Sequence, residues 1–105
     1  MANVRTEGVE FPYPAYLANI VRQIAVRFEQ SRCAVCRADL RFLIHRDGAV
    51  SDIRVIRGSG DFGFDLDAEG AIESAGRAHV FGPLPSGFID DVLTVVFSFE
   101  PRTVR

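Results

Sequence analysis

Apolar and polar positions alternate from Ala38 to His45, with Ala38, Leu40, Phe42 and Ile44 on one side and Asp39, Arg41, Leu43 and His45 on the other. Period-two spacing of this kind predicts a strand with one buried face. A second alternating run ends at Arg57, and Asp47-Gly48 lies between the two. Asp-Gly suits a tight two-residue hairpin turn, because both central residues of a type I′ turn need positive φ. With those two residues as the loop, Phe42 faces Ile53 and Leu40 faces Val55. A slip by one residue would place Phe42 against Asp52 and Leu40 against Arg54, so the first register is expected to win.

The period changes on either side of this hairpin. Leu17, Ile20, Val21, Ile24 and Phe28 recur at helical spacing, and Pro12 and Pro14 stand at the entrance, where a missing N–H costs nothing. A helix is predicted from about Pro14 to about Arg32. Residues 1–11 carry no pattern and read as a flexible lead-in. After the hairpin, residues 58–64 are rich in turn formers, and a second helix is expected with Asp65 as its N-cap. Its inner face would be Ala68, Ala71, Ile72, Ala75, Ala78 and His79, small enough to lie close to a sheet. Gly70 and Gly76 should weaken it by roughly 1 kcal/mol each. Pro83 and Pro85 bar residues 81–88 from a central strand. A last strand is predicted from Val92 to Glu100, with Leu93, Val95, Phe97 and Phe99 on its apolar face and Thr94, Ser98 and Glu100 opposite.

The expected fold is therefore α+β, a two-layer sandwich in the order α-β-β-α-β. Its three-stranded antiparallel-type sheet has the first strand central and both helices on the face of Leu40, Phe42, Ile53, Val55, Val95 and Phe97. Leu43, Val50, Ile56, Val92 and Val96 would lie on a partly bare opposite face. The domain would occupy residues 12–101, followed by a short tail at 102–105. The second and last strands would both be edges, open to a further strand.

Composition narrows the functional classes. The chain has 105 residues, is 48% hydrophobic and carries a net charge of −2, which is enough for one core and offers no electrostatic footprint for nucleic acid. All twelve basic residues are arginine, and they form no cluster in sequence. No run approaches the ~18 apolar residues of a membrane span. The chain is expected to be either cytosolic or a soluble piece of a longer anchored protein.

Candidate chemistry is sparse. Cys33 and Cys36 form a C-x-x-C pair, which suits a structural disulfide, two packing thiols, half of a metal site or a redox centre. His45 and His79 are the only imidazoles that could complete a zinc set, at spacings no zinc motif uses. His79 on the second helix suits a structural role near a helix C-terminus, and His45 beside the turn suits solvent. Asp61, Asp65, Asp67 and Glu69 lack the order of a calcium loop and suit capping. No catalytic triad, phosphate loop or cofactor motif is present, so the residues point to a non-enzymatic protein, with a C-x-x-C thiol oxidoreductase as the rival of another class.

The ordered set of Tyr13-Pro14, Arg46-Asp47-Gly48, the Ser-Gly close at residues 59–60, Leu66-Asp67, Pro83-Leu84-Pro85, Gly87-Phe88 and Phe97-x-Phe99 resembles the C-terminal domain of the TonB/TolA family of envelope energy transducers. The resemblance implies a periplasmic docking domain, anchored in the inner membrane and driven by motor proteins through a further N-terminal region. Its partner would be a segment of an outer-membrane TonB-dependent receptor, or a Tol-Pal component if the role is that of a TolA-like or secretion-system scaffold. In the receptor case the segment adds as a strand to the last strand, which maps the partner-binding edge onto Leu93, Thr94, Val95, Val96, Phe97, Ser98, Phe99 and Glu100. The Cys33/Cys36 pair is no part of that motif, although an oxidising periplasm would permit a disulfide. Neither reading calls for a cofactor or nucleic acid. A homodimer through the bare face or by exchange of last strands stays open.

Overall fold

The computed structural model describes residues 3–28, 33 and 35–100. Within them the order is β1 (Asn3–Thr6), α1 (Pro14–Ala25), β2 (Ala38–His45), β3 (Val50–Arg57), α2 (Phe62–Arg77) and β4 (Val92–Phe99). The class is α+β as the pattern predicts, but the sheet has four strands, all antiparallel, in the order β1-β4-β2-β3. β2 lies between β3 and β4, as expected of the first predicted strand. The expectation that overturns is the edge: β4 is an inner strand, because Asn3–Thr6, taken from sequence as lead-in, pairs with Val95–Ser98.

The hairpin differs in a way that parity explains. His45 N–H donates to Ala49 O and Gly48 N–H to His45 O, so the loop is three residues, Arg46 to Gly48. Gly48 alone of these takes positive φ, at 91°, which rules out a type I′ turn. The extra loop residue pairs Ile44 with Val50 and Leu43 with Ser51, bringing Val50 to the core face instead of the bare one. A bulge then absorbs the offset. Asp52, at φ 54°, and Ile53 together oppose Phe42, and beyond them Leu40 meets Val55 and Arg41 meets Arg54, the register expected from the hydrophobic pattern. Core burial therefore fixes the distal register even though the turn does not supply it.

Pro14 opens α1, and Leu17 N–H bonds to Tyr13 O. Ile20 and Ile24 are its fully buried residues. The helix ends at Ala25, short of the predicted Arg32; residues 29–32 lie outside those described. α2 starts earlier than predicted, since Asp61 and not Asp65 is the N-cap, its carboxylate accepting from Phe64 N–H at 2.9 Å. Asp65 instead accepts from Ser59 N–H, tying the preceding loop to the helix. Ala68, Ala71, Ile72 and Ala75 are buried as predicted, but Ala78 and His79 are exposed. They belong to the helix stop. Val80 N–H bonds to Ala75 O, His79 N–H bonds to Gly76 O, and His79 takes positive φ, together a Schellman C-cap with histidine where glycine is usual.

α1 packs toward the β1 side of the sheet and α2 toward β3 and β2, with the core between them and Leu40, Phe42, Val95 and Phe97. Val55 shares that face by parity yet is 40% exposed, because β3 is an edge strand and α2 comes closest to it near Val50. The segment after α2 is a loop, as its prolines require, but one that buries Phe81, Leu84 and Phe88. Side chains of three distant residues bond to it. The Arg46 guanidinium donates to the carbonyls of Pro85, Phe88 and Asp90, Tyr16 O–H donates to Gly82 O, and Asn19 donates to Val80 O.

Candidate functional site

The alternating pattern of residues 92–99 makes β4 the most hydrophobic strand of the sheet, and Leu93, Val95, Phe97 and Phe99 point into the core. Its backbone is shared between two neighbours. The full length of β4 pairs with β2, from Val92 opposite His45 to Phe99 opposite Ala38. On the other side only Val95 to Ser98 pair with β1, and one further bond runs from Glu7 N–H to Thr94 O at 3.0 Å. Antiparallel ladders alternate their bonding sides, so Thr94, Val96 and Ser98 turn their N–H and C=O groups toward β1. That row lies within Leu93–Glu100, the edge that the family resemblance implies for a partner, and here a short strand of the same chain holds it. Glu100 lies just past β4 and reaches Arg37 at 3.1 Å.

β1 is a light occupant. It covers half of β4, and its residues alternate between exposed and half-buried. Val4, opposite Phe97, packs against the core, while Arg5 rises on the outer face opposite Val96. Val96 is fully buried although it faces away from the helices. It sits in a transverse row of Arg5, Val96, Arg41 and Arg54 that crosses all four strands. Arginine stems can cover apolar surface while keeping their charge in water, which accounts for the burial of Val96. Glu7 reaches back to Arg41 at 3.6 Å, and Asp39 pairs with Arg57 at 3.9 Å. Arg41, Leu43, Asp52 and Arg54 line a shallow open depression of about 290 Å³ beside the row.

The outermost strands of the sheet are β1 and, on the far side, β3. Register shifts interrupt the β2–β3 ladder at Asp52 and again between Asp39 and Leu40, and such bulges twist an edge away from pairing.

The remaining sequence candidates form local contacts. Cys33 and Cys36 are joined in a disulfide with a Cα–Cα distance of 5.5 Å. Folding brings the Asp61 carboxylate within 4.8 Å of both sulfurs, a proximity invisible in sequence. Joined sulfurs offer no thiolate ligand. His45 Nε2 lies 2.6 Å from Ser51 Oγ across the hairpin, and Asp47 accepts from Ala49 N–H inside the turn. Tyr16 is half-buried, and desolvation pushes its hydroxyl up to about 12. Sequence reasoning missed β1 and Arg46. No periodicity can appear in four residues, and the carbonyls that Arg46 gathers lie about forty positions away.

Two helices laid over one face of an open antiparallel sheet, with a hydrophobic strand whose outer edge accepts a short strand, define a small two-layer α+β domain of the edge-pairing kind. The family model described as TonB C terminal matches residues 12–99, and the chain belongs to that family. No curated protein and no solved structure matches the chain. No helix among the described residues is long and apolar enough to cross a membrane.

Proposed function

We propose that this is a non-enzymatic docking domain of an envelope energy transducer, working in the periplasm and binding a short segment of an outer-membrane receptor by strand addition to β4. Membership of the TonB C-terminal family supports the transducer role. The observation that carries the mode of binding is the pairing of Asn3–Thr6 with Val95–Ser98, since this edge accepts an extended strand with ordinary antiparallel register. A receptor segment would take the position of β1 and extend further along β4 than four residues. Main-chain hydrogen bonds would supply affinity, and the alternate side chains would supply selectivity. An inner-membrane motor would act through a further N-terminal anchor.

Removing one outward N–H tests the mode. Val96→Pro deletes a donor from the middle of the edge, and Ser98→Pro deletes one at a half-buried position that disturbs packing less. Calorimetric titration with synthetic receptor N-terminal segments should show binding to the wild-type chain and its loss in whichever variant keeps the native circular dichroism spectrum. Undiminished binding by a folded variant would refute this edge as the docking site.

A further inference from the structure

We infer that β1 is a built-in stand-in for the partner segment, and that the partner is an extended peptide with an apolar residue followed three positions later by a carboxylate that Arg41 reads. The inference rests on the strand-addition reading above and adds the chemistry of the occupant. Whatever replaces β1 meets the surroundings β1 meets. Val4 sits opposite Phe97 against the core and Thr6 opposite Val95, so an incoming segment needs an apolar and then a small or β-branched side chain on that face. Glu7 follows, its N–H on Thr94 O and its carboxylate on Arg41.

Arg41 has reason to want an anion. It lies directly opposite Arg54 in the ladder, and like charges in that relation repel. Arg5 adds a third guanidinium to the same row. Carboxylates also stand near this row. Asp39 is engaged with Arg57, Asp52 lines the depression between Arg41 and Arg54, and Glu7 is the carboxylate paired with Arg41. Displacing β1 removes Glu7 with it, leaving Arg41 facing Arg54 with Asp52 alone nearby. A partner bringing its own carboxylate to that place restores the pair, whereas one with a neutral or basic residue does not.

The test uses the full chain and a fluorescent peptide copying residues 3–9, NVRTEGV, beside the same peptide with glutamine replacing its glutamate. Val4→Asp in the chain releases β1 by placing a charge against the core, so that the peptide competes with a weakened intramolecular strand. The glutamate peptide should bind this chain about two- to fivefold more tightly than the glutamine peptide, the size of a solvent-exposed ion pair. Adding Arg41→Gln should make the two equal. Glu7→Gln alone, which leaves Val4 in place, should raise affinity for the glutamate peptide by a similar factor, and it serves if Val4→Asp does not fold. Equal binding of both peptides, a preference that survives Arg41→Gln, or no gain from Glu7→Gln would overturn the role of Arg41. In that case amide shifts at Thr94, Val96 and Ser98 would still uphold strand addition. Absence of those shifts with either peptide would overturn both.

Discussion

A Cβ built on Gly76 would come within 2.7 Å of Val50 Cβ, because α2 approaches β3 most closely there. Gly70, six residues earlier on the same helix, has open space around it. Helix propensity favours alanine over glycine by roughly 1 kcal/mol at both positions, but overpacking costs about 1–3 kcal/mol at the first. Gly70→Ala should therefore stabilise by about 0.5–1 kcal/mol and Gly76→Ala should destabilise, a difference in sign that urea unfolding measures directly. The sequence shows both glycines as helix-weakening; only the distance to Val50 separates them. Tyr16 gives a second prediction at this scale. Its hydroxyl pKa is about 12 in the folded chain against 10.0 for the ordinary group. The folded state thus holds that proton more tightly, and the associated stability is complete below pH 10 and lost as pH rises toward 12. Thermal unfolding across that window should show a decline that is shallower in Tyr16→Phe.

At the level of elements, long amphipathic segments were readable and junctions were not. Ile20 and Ile24 on α1, Ala68, Ala71, Ile72 and Ala75 on α2, and the alternate residues of β2 and β4 are buried as their spacing predicts. The turn at Asp47-Gly48 was placed correctly but one residue too short, since local turn preference cannot report the bulge at Asp52 that compensates for it. Asp65 is the N-cap expected from sequence, but its carboxylate is drawn to Ser59 N–H and Asp61 takes the cap. The loop after α2 depends on Arg46, whose guanidinium bonds to three of its carbonyls and approaches Asp91 at 3.8 Å. Hydrogen bonds to a charged donor are worth about 1.5–3 kcal/mol, so Arg46→Met should cost about 2 kcal/mol. In a domain of this size that lowers the melting temperature by roughly 10 °C. An unchanged midpoint in a calorimetric scan would mean that burial of Phe81, Leu84 and Phe88 alone secures the loop.

For the whole molecule, the arrangement of the sheet decides what the domain can do. Both helices cover one face, which leaves the outer face and the two sheet margins for partners. The hydrophobicity of residues 92–99 announced a strand in need of cover, and the family pattern pointed to its edge. What could not be read was that four residues from the N-terminal end already lie there, because a short strand with one core contact carries too little apolar signal to register. Under the proposed strand addition, a partner would have to outcompete β1 and would gain by pairing along more of β4.

The most direct measurement is an amide NMR titration of the full chain with receptor N-terminal segments. Strand exchange at β4 predicts shifts at Thr94, Val96 and Ser98 together with movement of the Asn3–Thr6 signals toward unpaired values, as the peptide takes their place. Binding that leaves Asn3–Thr6 paired, with shifts confined to Val50–Arg57, would contradict it.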